Sequence, residues 1–162
     1  MALKRAEYKD VRKQMQPGDI IAFSGKGNFS EIIKWATLAN VSHTGIILQS
    51  KLLINDEPLK GFFNQIIEST SLNGFSGVTI SRLSDRIELY GGEIWWLPLS
   101  DSVRQKMNMK KFYDWLLHQD HKLYDMPQAI NSALDALDNV PLLGRVTYNI
   151  EDFSKFFCSE LV

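Results

Sequence analysis

Residues 41–48 read Val-Ser-His-Thr-Gly-Ile-Ile-Leu, a polar start followed by a short apolar run. Runs of this length that are rich in β-branched residues and bounded by turn residues are typical of strands. Similar segments recur on both sides of this one. We predict strands at residues 20–23, 41–48, 62 or 65 to 69, 78–83 and 93–97, with a hairpin or insertion over residues 49–61.

Helical spacing of apolar residues marks other parts of the chain, most of them late in the sequence. We predict a surface helix over residues 3–15, a helix from Phe29 to Asn40 capped near Asn28 or Ser30, a long helix over residues 101–119 capped by Ser100 or Asp101, and a helix over residues 126–137. Strands that come early and helices that come late predict an α+β fold with a mainly antiparallel central sheet and flanking helices.

The length of 162 residues and the hydrophobic content of 44% are those of one globular domain, which we place at residues 1–162. The 18 basic and 19 acidic residues nearly cancel, so no global charge attracts nucleic acid or an anionic membrane. The opening residues 1–10 lack the apolar core of a signal peptide, and no apolar run approaches the roughly 20 residues of a membrane span. We therefore expect a cytoplasmic protein without stable membrane insertion or nucleic-acid binding.

The only cysteine, Cys158, lies in residues 156–162, Phe-Phe-Cys-Ser-Glu-Leu-Val, where aromatic residues precede it and helix-forming residues follow. A thiol at a helix N-terminus is favoured as thiolate by the helix dipole, whereas a lone cysteine elsewhere is usually a small buried hydrophobe. Thiol catalysis also needs a base and a group that orients it. His43, at the polar start of a buried strand, is the best placed base, and Glu68, at the end of the next apolar run, is the candidate orienting carboxylate.

His118 and His121 are the remaining histidines, and they lie near the end of the long predicted helix. Residues three apart share a helix face, so these two imidazoles and Asp120 suggest a metal-dependent hydrolase as an alternative. No further histidine or cysteine lies nearby in sequence to complete a closed site. We expect surface histidines here, with no metal and no cofactor in the protein.

The motif blocks, taken in order, resemble the circularly permuted NlpC-type branch of the papain-like superfamily, with the YiiX/YaeF-like amidases as the nearest branch. The blocks are Pro17–Phe23, Ser42–Ile47, Ile67-Glu68, Tyr124-Asp125 and Phe157–Val162. The resemblance implies that Cys158 is the nucleophile at the N-terminus of a helix, His43 the base and Glu68 the orienting residue. It also implies a place near the active site for Tyr124, either as an oxyanion donor or as a core tyrosine. The resemblance implies a nucleophile helix that continues well beyond the cysteine, whereas this chain stops at Val162, so we expect either a C-terminal truncation or an unusually short tail.

That resemblance implies a cysteine hydrolase that cleaves an amide bond, acting on a small peptide, amide or acyl substrate through a thioester. Acyl transfer or lipid deacylation, as in lecithin:retinol acyltransferase relatives, is an alternative on the same architecture, and a catalytically silent binding module is another. Four aromatic residues are candidates for an acyl groove, although core packing is the expectation for most of them: Trp35, Phe75, Trp95 and Trp96. Neither the substrate nor the oligomeric state follows from the sequence.

Overall fold

The computed structural model of the chain describes residues 4–37, 39–54, 57–72, 74–124 and 155–156. Within these residues it contains five helices: α1 Tyr8–Val11, α2 Asn28–Thr37, α3 Leu83–Leu89, α4 Asp101–Lys106 and α5 Met109–Gln119. The strands of the same part of the chain are β1 Ile20–Ser24, β2 His43–Ile54, β3 Glu57–Leu72, β4 Phe75–Arg82, β5 Glu93–Leu97, β6 Leu123–Tyr124 and β7 Lys155–Phe156.

The seven described strands form one sheet in the order β5-β1-β2-β3-β4-β6-β7. Neighbouring strands are antiparallel throughout, except that β6 and β7 are parallel. Helices flank this sheet, so the predicted α+β class with a mainly antiparallel sheet is confirmed. β2 and β3 form a long hairpin at the centre, which brings the start of β2, with His43, beside the part of β3 that carries Glu68.

Each face of the sheet is covered, because alternate residues of a strand point to opposite sides. Ile47 of β2 and Ile66 of β3 belong to a first core cluster, against which residues of α1 and α3 pack. Ile46 and Ile67, one position along the same strands, belong to a second cluster with residues of α5. His43 and Glu68 have the same strand parity as Ile47 and Ile66, so they lie on the first face.

The Pro17-Gly18-Asp19 turn, which precedes β1, is hydrogen-bonded to β5 and to the residues that follow β5. Asp19 is buried, and its carboxylate accepts hydrogen bonds from the indole of Trp96 at 2.8 Å, the backbone N–H of Leu99 at 3.0 Å and the guanidinium of Arg104. Gly18 adopts a φ of +89°, which favours glycine. These hydrogen bonds give Asp19 a structural role in this fold.

The predicted helix over residues 3–15 is wrong in extent, because α1 covers only Tyr8–Val11 and residues 4–7 are not helical. The sequence offers only a thin apolar stripe there, and too little burial is available to stabilise a longer helix. Met15, beyond the end of α1, is nevertheless buried in the first core cluster. The short helix α3 was not predicted at all.

The predicted long helix over residues 101–119 is two helices, α4 and α5, separated by Met107 and Asn108. Ser100 stands at the N-cap of α4 but makes no side-chain capping hydrogen bond, whereas the side chain of Asn108 accepts from Lys111 N at 3.0 Å and caps α5. Arg104 of α4 is tied to the Pro17-Gly18-Asp19 turn, while α5 packs on the second face of the sheet. Two different partners thus require a break that the continuous apolar spacing does not indicate.

The predicted strands fall in the right places, but some of their limits differ from the observed ones: the predicted strand at residues 41–48 begins two residues before β2 and ends six residues before it ends. Residues 93–97 match β5, and residues 20–23 match β1 apart from one residue. The expected hairpin over residues 49–61 is present, although β2 and β3 continue through most of it. Helix α2 begins at Asn28 and ends at Thr37, near the predicted limits, and the predicted helix over residues 126–137 lies outside the described residues.

The four aromatic residues that are candidates for an acyl groove or for core packing differ in their exposure. Trp96 packs against the first core cluster, as expected, and its indole reaches Asp19. Trp95 and Phe75 are partly buried. Trp35 on α2 is 66% exposed and is therefore not packed in the core.

No helix among the described residues combines the length and the apolar composition that a membrane crossing requires.

Candidate active site

His43 is the first residue of β2, where the pairing with β1 begins opposite Phe23. The preceding residue, Ser42, is buried and donates its backbone N–H to the carbonyl of Phe23 at 2.9 Å. Its hydroxyl accepts a hydrogen bond from the backbone N–H of Gly25 at 3.0 Å. Hydrogen bonds of Ser42 with Phe23 and Gly25 therefore hold the backbone next to His43. The His43 side chain is 15% exposed.

Glu68 lies on the adjacent strand β3 and is completely buried. Its Oε2 lies 2.6 Å from Nε2 of His43, a distance typical of a hydrogen bond between an imidazole and a carboxylate. The sequence-predicted pair of base and carboxylate is thus in contact. Since a carboxylate can only accept, an ionised Glu68 requires the proton of the imidazole to be on Nε2.

Gly45, two residues after His43, leaves room for side chains of the neighbouring strand β3. A Cβ atom at this position would lie 2.7 Å from Cδ1 of Ile66 and 3.1 Å from Cβ of Glu68. The first distance is too short for two carbon atoms, so any larger residue would push Ile66 aside. The glycine therefore lets β3 bring Glu68 close to β2 at the level of the imidazole.

Arg86 of α3 is a member of this site that the sequence reasoning missed. Its Nε donates to Oε1 of Glu68, and its Nη2 donates to Oε2 at 3.0 Å, so the guanidinium grips both carboxylate oxygens. Arg86 is only 7% exposed. A signal was present in the sequence: the apolar Leu83 and Ile87 place Arg86 on the buried face of a short helix.

The electrostatics of the pair favour an ionised carboxylate. Burial by itself would raise the pKa of Glu68, but the hydrogen bonds from His43 and Arg86, and their positive charges, outweigh burial and hold this pKa below its ordinary value of 4.5. Glu68 is therefore an anion at neutral pH. A buried anion beside the imidazole stabilises the imidazolium form and fixes the orientation of the ring.

Two aromatic rings pack around the site on the first face of the sheet. The ring of Phe23 lies 5.3 Å from the imidazole of His43 and 5.0 Å from the ring of Tyr90, measured between centroids. Burial raises the pKa of the Tyr90 phenol, although its hydrogen bond with Ser42 acts in the opposite direction. Tyr90 therefore stays protonated at neutral pH, and it links the residue before His43 to the residues around Arg86.

The other predicted site residues are described only in part. Tyr124 lies in β6, where its backbone is paired with Phe156 of β7. Cys158 follows Phe156 by two positions and lies outside the described residues, as does the helix expected to begin there. The nucleophile of the predicted triad stays a prediction.

The alternative metal site finds little support in the geometry. Helix α5 ends at Gln119, so His121 lies beyond it with a φ of +65° and does not share a helix face with His118. Nδ1 of His121 lies 3.0 Å from the carboxylate of its neighbour Asp120. Among the residues that the structure describes, no group of three or more histidine, cysteine, aspartate or glutamate side chains is arranged to hold a metal ion.

Comparison with known proteins gives no further guide to the site. The chain matches no protein-family profile, and it matches no curated protein.

Proposed function

We propose that this protein is a cysteine hydrolase of the permuted papain-like, NlpC-type class that cleaves an amide bond. Cys158 is the nucleophile, His43 the general base and acid, Glu68 the group that orients it, and Tyr124 a donor toward the oxyanion. One observation carries the proposal: the imidazole of His43 is bound through Nε2 to a buried, ionised carboxylate. A histidine held in this way at a strand end is the central element of a thiol-based triad.

The tautomer assigns a task to each ring nitrogen. With the proton of Nε2 directed at Glu68, Nδ1 is the nitrogen that exchanges a proton with the thiol. The thiolate attacks the carbonyl carbon of the substrate, the C–N bond breaks, and His43 protonates the departing amine. Water, deprotonated by the same imidazole, then hydrolyses the thioester and regenerates the thiol.

The strand order sets a geometric requirement for Cys158. β7 is separated from β2 by β3, β4 and β6, a distance of about 19 Å across a flat sheet at the usual strand spacing. Two extended residues after Phe156 span only about 7 Å. However, β6 contacts β3 and β7 contacts β4, although they are not neighbours in the sheet, so the sheet curls at this end. The proposal requires this curl to bring Cys158 over the first face of the sheet, toward His43.

Alkylation of the single thiol tests the activation of Cys158 without a substrate. We expect the rate of reaction with iodoacetamide to be near its plateau at neutral pH, because a thiol paired with His43 at a helix start has a lowered pKa. His43→Ala should abolish this enhancement, whereas His118→Ala, which changes an exposed histidine on α5, should not. A rate that rises only above about pH 8 in the parent protein contradicts the proposal.

Turnover of model substrates tests the reaction itself. Fluorogenic aminoacyl amides, acyl esters and acyl thioesters should be assayed in parallel, with mass spectrometry of the protein after rapid quenching. We expect amide cleavage and an acyl adduct on Cys158, and no turnover by Cys158→Ala. Transfer of the acyl group to an added amine or alcohol in preference to water would instead establish an acyltransferase. Activity that survives Cys158→Ala and disappears with a chelator would replace the thiol mechanism by a metal-dependent one.

A further inference from the structure

We propose that Arg86 is a positioning residue of the active site, which holds Glu68 as a fixed anion while His43 changes its protonation state. This inference rests on the proposed function and adds a fourth residue to it. The geometry carries it: one guanidinium contacts both oxygens of the carboxylate that binds the imidazole.

The two-point contact fixes the orientation of the carboxylate. Nε of Arg86 is bonded to Oε1, and Nη2 to Oε2, so the plane of the carboxylate follows the plane of the guanidinium. Oε2 is also the oxygen that lies 2.6 Å from Nε2 of His43. Rotation of the Glu68 side chain away from the imidazole would therefore also break its contacts with Arg86.

Arg86 is itself restrained from several sides. Its guanidinium carbon lies 5.2 Å from the centre of the Phe23 ring and 5.7 Å from the centre of the Tyr90 ring, distances at which a cation is attracted to an aromatic face. Leu83 and Ile87, on the same helix, pack in the first core cluster. The short helix α3 therefore delivers the guanidinium to Glu68 from a fixed position.

The positive charge of Arg86 lets His43 change its protonation state during a catalytic cycle while Glu68 stays ionised. Among the residues that the structure describes, the ionisable groups that interact electrostatically with Glu68 are His43 from β2, Arg86 from α3 and Tyr90, which follows α3. Of these, only Arg86 carries a positive charge at all relevant pH values. It keeps the buried carboxylate ionised when His43 is neutral, so the imidazole can accept and return a proton without drawing one from Glu68. Without Arg86, a fully buried Glu68 and His43 would share their protons and titrate as a pair.

The test compares the parent protein with Arg86→Met, Arg86→Lys and the control Arg5→Met, which removes an exposed arginine. The readouts are the pH dependence of Cys158 alkylation and NMR titrations of the His43 ring and the Glu68 carboxyl. For Arg86→Met we expect the acid limb of the alkylation profile to move up by about one pH unit, which is about a tenfold loss of rate on that limb. Arg86→Lys should move the acid limb less, because lysine keeps the positive charge but cannot contact both carboxylate oxygens as the guanidinium does. Arg5→Met should match the parent.

The outcomes separate this inference from the proposed function. If the thiol of the parent protein is not activated, the proposed hydrolase function is wrong. The NMR titrations of His43 and Glu68 then decide the role of Arg86 by themselves. If both alkylation and the His43 titration are unchanged in a folded Arg86→Met variant, the positioning role is overturned while the hydrolase stands. If Arg86→Met does not fold, the comparison of the parent protein with Arg86→Lys decides the positioning role of Arg86. A Glu68 carboxyl that titrates together with His43 between pH 5 and 8 in the parent refutes the inference.

Discussion

The ion pair between Glu68 and Arg86 predicts an unusually large effect of an isosteric change, Glu68→Gln. The carboxylate accepts from Nε of Arg86 on one oxygen, and it faces Nη2 of Arg86 and Nε2 of His43 with the other. In either orientation of a glutamine amide, its NH₂ group faces an N–H of Arg86. One donor-to-donor contact therefore replaces a charged hydrogen bond, and the buried guanidinium loses its counter-charge.

Removing one partner of a buried ion pair costs about 3–5 kcal/mol. We expect Glu68→Gln to lower the free energy of unfolding by about 3 kcal/mol, near the lower end, because the amide oxygen keeps one of the hydrogen bonds. Arg86→Met should cost a similar amount, since it leaves a fully buried carboxylate without the guanidinium that neutralises its charge. The double variant should cost about 2 kcal/mol less than the sum of the single variants, because neither charge is then left unpaired.

Urea denaturation at pH 7, followed by tryptophan fluorescence and circular dichroism, measures these free energies. Glu88→Gln is the matched control, because it makes the same chemical change at an exposed position of α3, and it should remain within about 0.5 kcal/mol of the parent. The reasoning is refuted if Glu68→Gln costs no more than Glu88→Gln. It is equally refuted if the effects of Glu68→Gln and Arg86→Met simply add, because coupled partners must show an interaction energy.

Three further predictions follow from other contacts. The pKa of Glu68 is held below its ordinary value of 4.5, so its contribution to stability is present above that pH and is lost as the pH falls through the folded-state pKa; thermal melts from pH 5 to 3 should therefore show a steeper loss for the parent than for Glu68→Gln. Asp19→Asn should cost about 3 kcal/mol in urea titrations, because Asp19 is buried and both of its carboxylate oxygens accept hydrogen bonds, so an amide must turn its NH₂ toward some of the donors; a cost below about 1 kcal/mol would contradict this role. Asn108→Ala should cost about 1 kcal/mol by removing the cap of α5, and Asn108→Asp should restore most of it; equal stability of all three proteins would show that the cap is not formed.

The amino-acid sequence by itself determined the class of the fold and the places of its main strands. Residues 93–97 and 20–23 are short apolar runs between turn residues, and such runs predict strands because burial and backbone hydrogen bonding favour the same conformation there. The pairing of His43 with Glu68 was also predictable. The start of β2, which carries His43, lies beside the later part of β3, which carries Glu68, because a hairpin joins the two strands, although β3 continues past Glu68 to Leu72.

Helix limits depended on partners far away in the sequence. Apolar spacing across residues 101–119 is continuous, but Arg104 is bound to the turn before β1 while α5 packs on the second face of the sheet. The break at Met107 and Asn108 results from these two attachments. Only Asn108, a favourable N-cap residue, was a local signal for it.

The environment of the candidate base was decided by the tertiary structure alone. Nothing local to Glu68 indicates that it is fully buried, or that an arginine eighteen residues further along the chain contacts both of its oxygens. A glutamate at a strand end is ordinarily a solvated group, and its charge becomes tolerable in the core only when a helix delivers a counter-charge to it. Sequence patterns register which residues are apolar and how they are spaced, whereas the pairing of two buried charges depends on where α3 packs against β3, and this packing exists only in the folded chain.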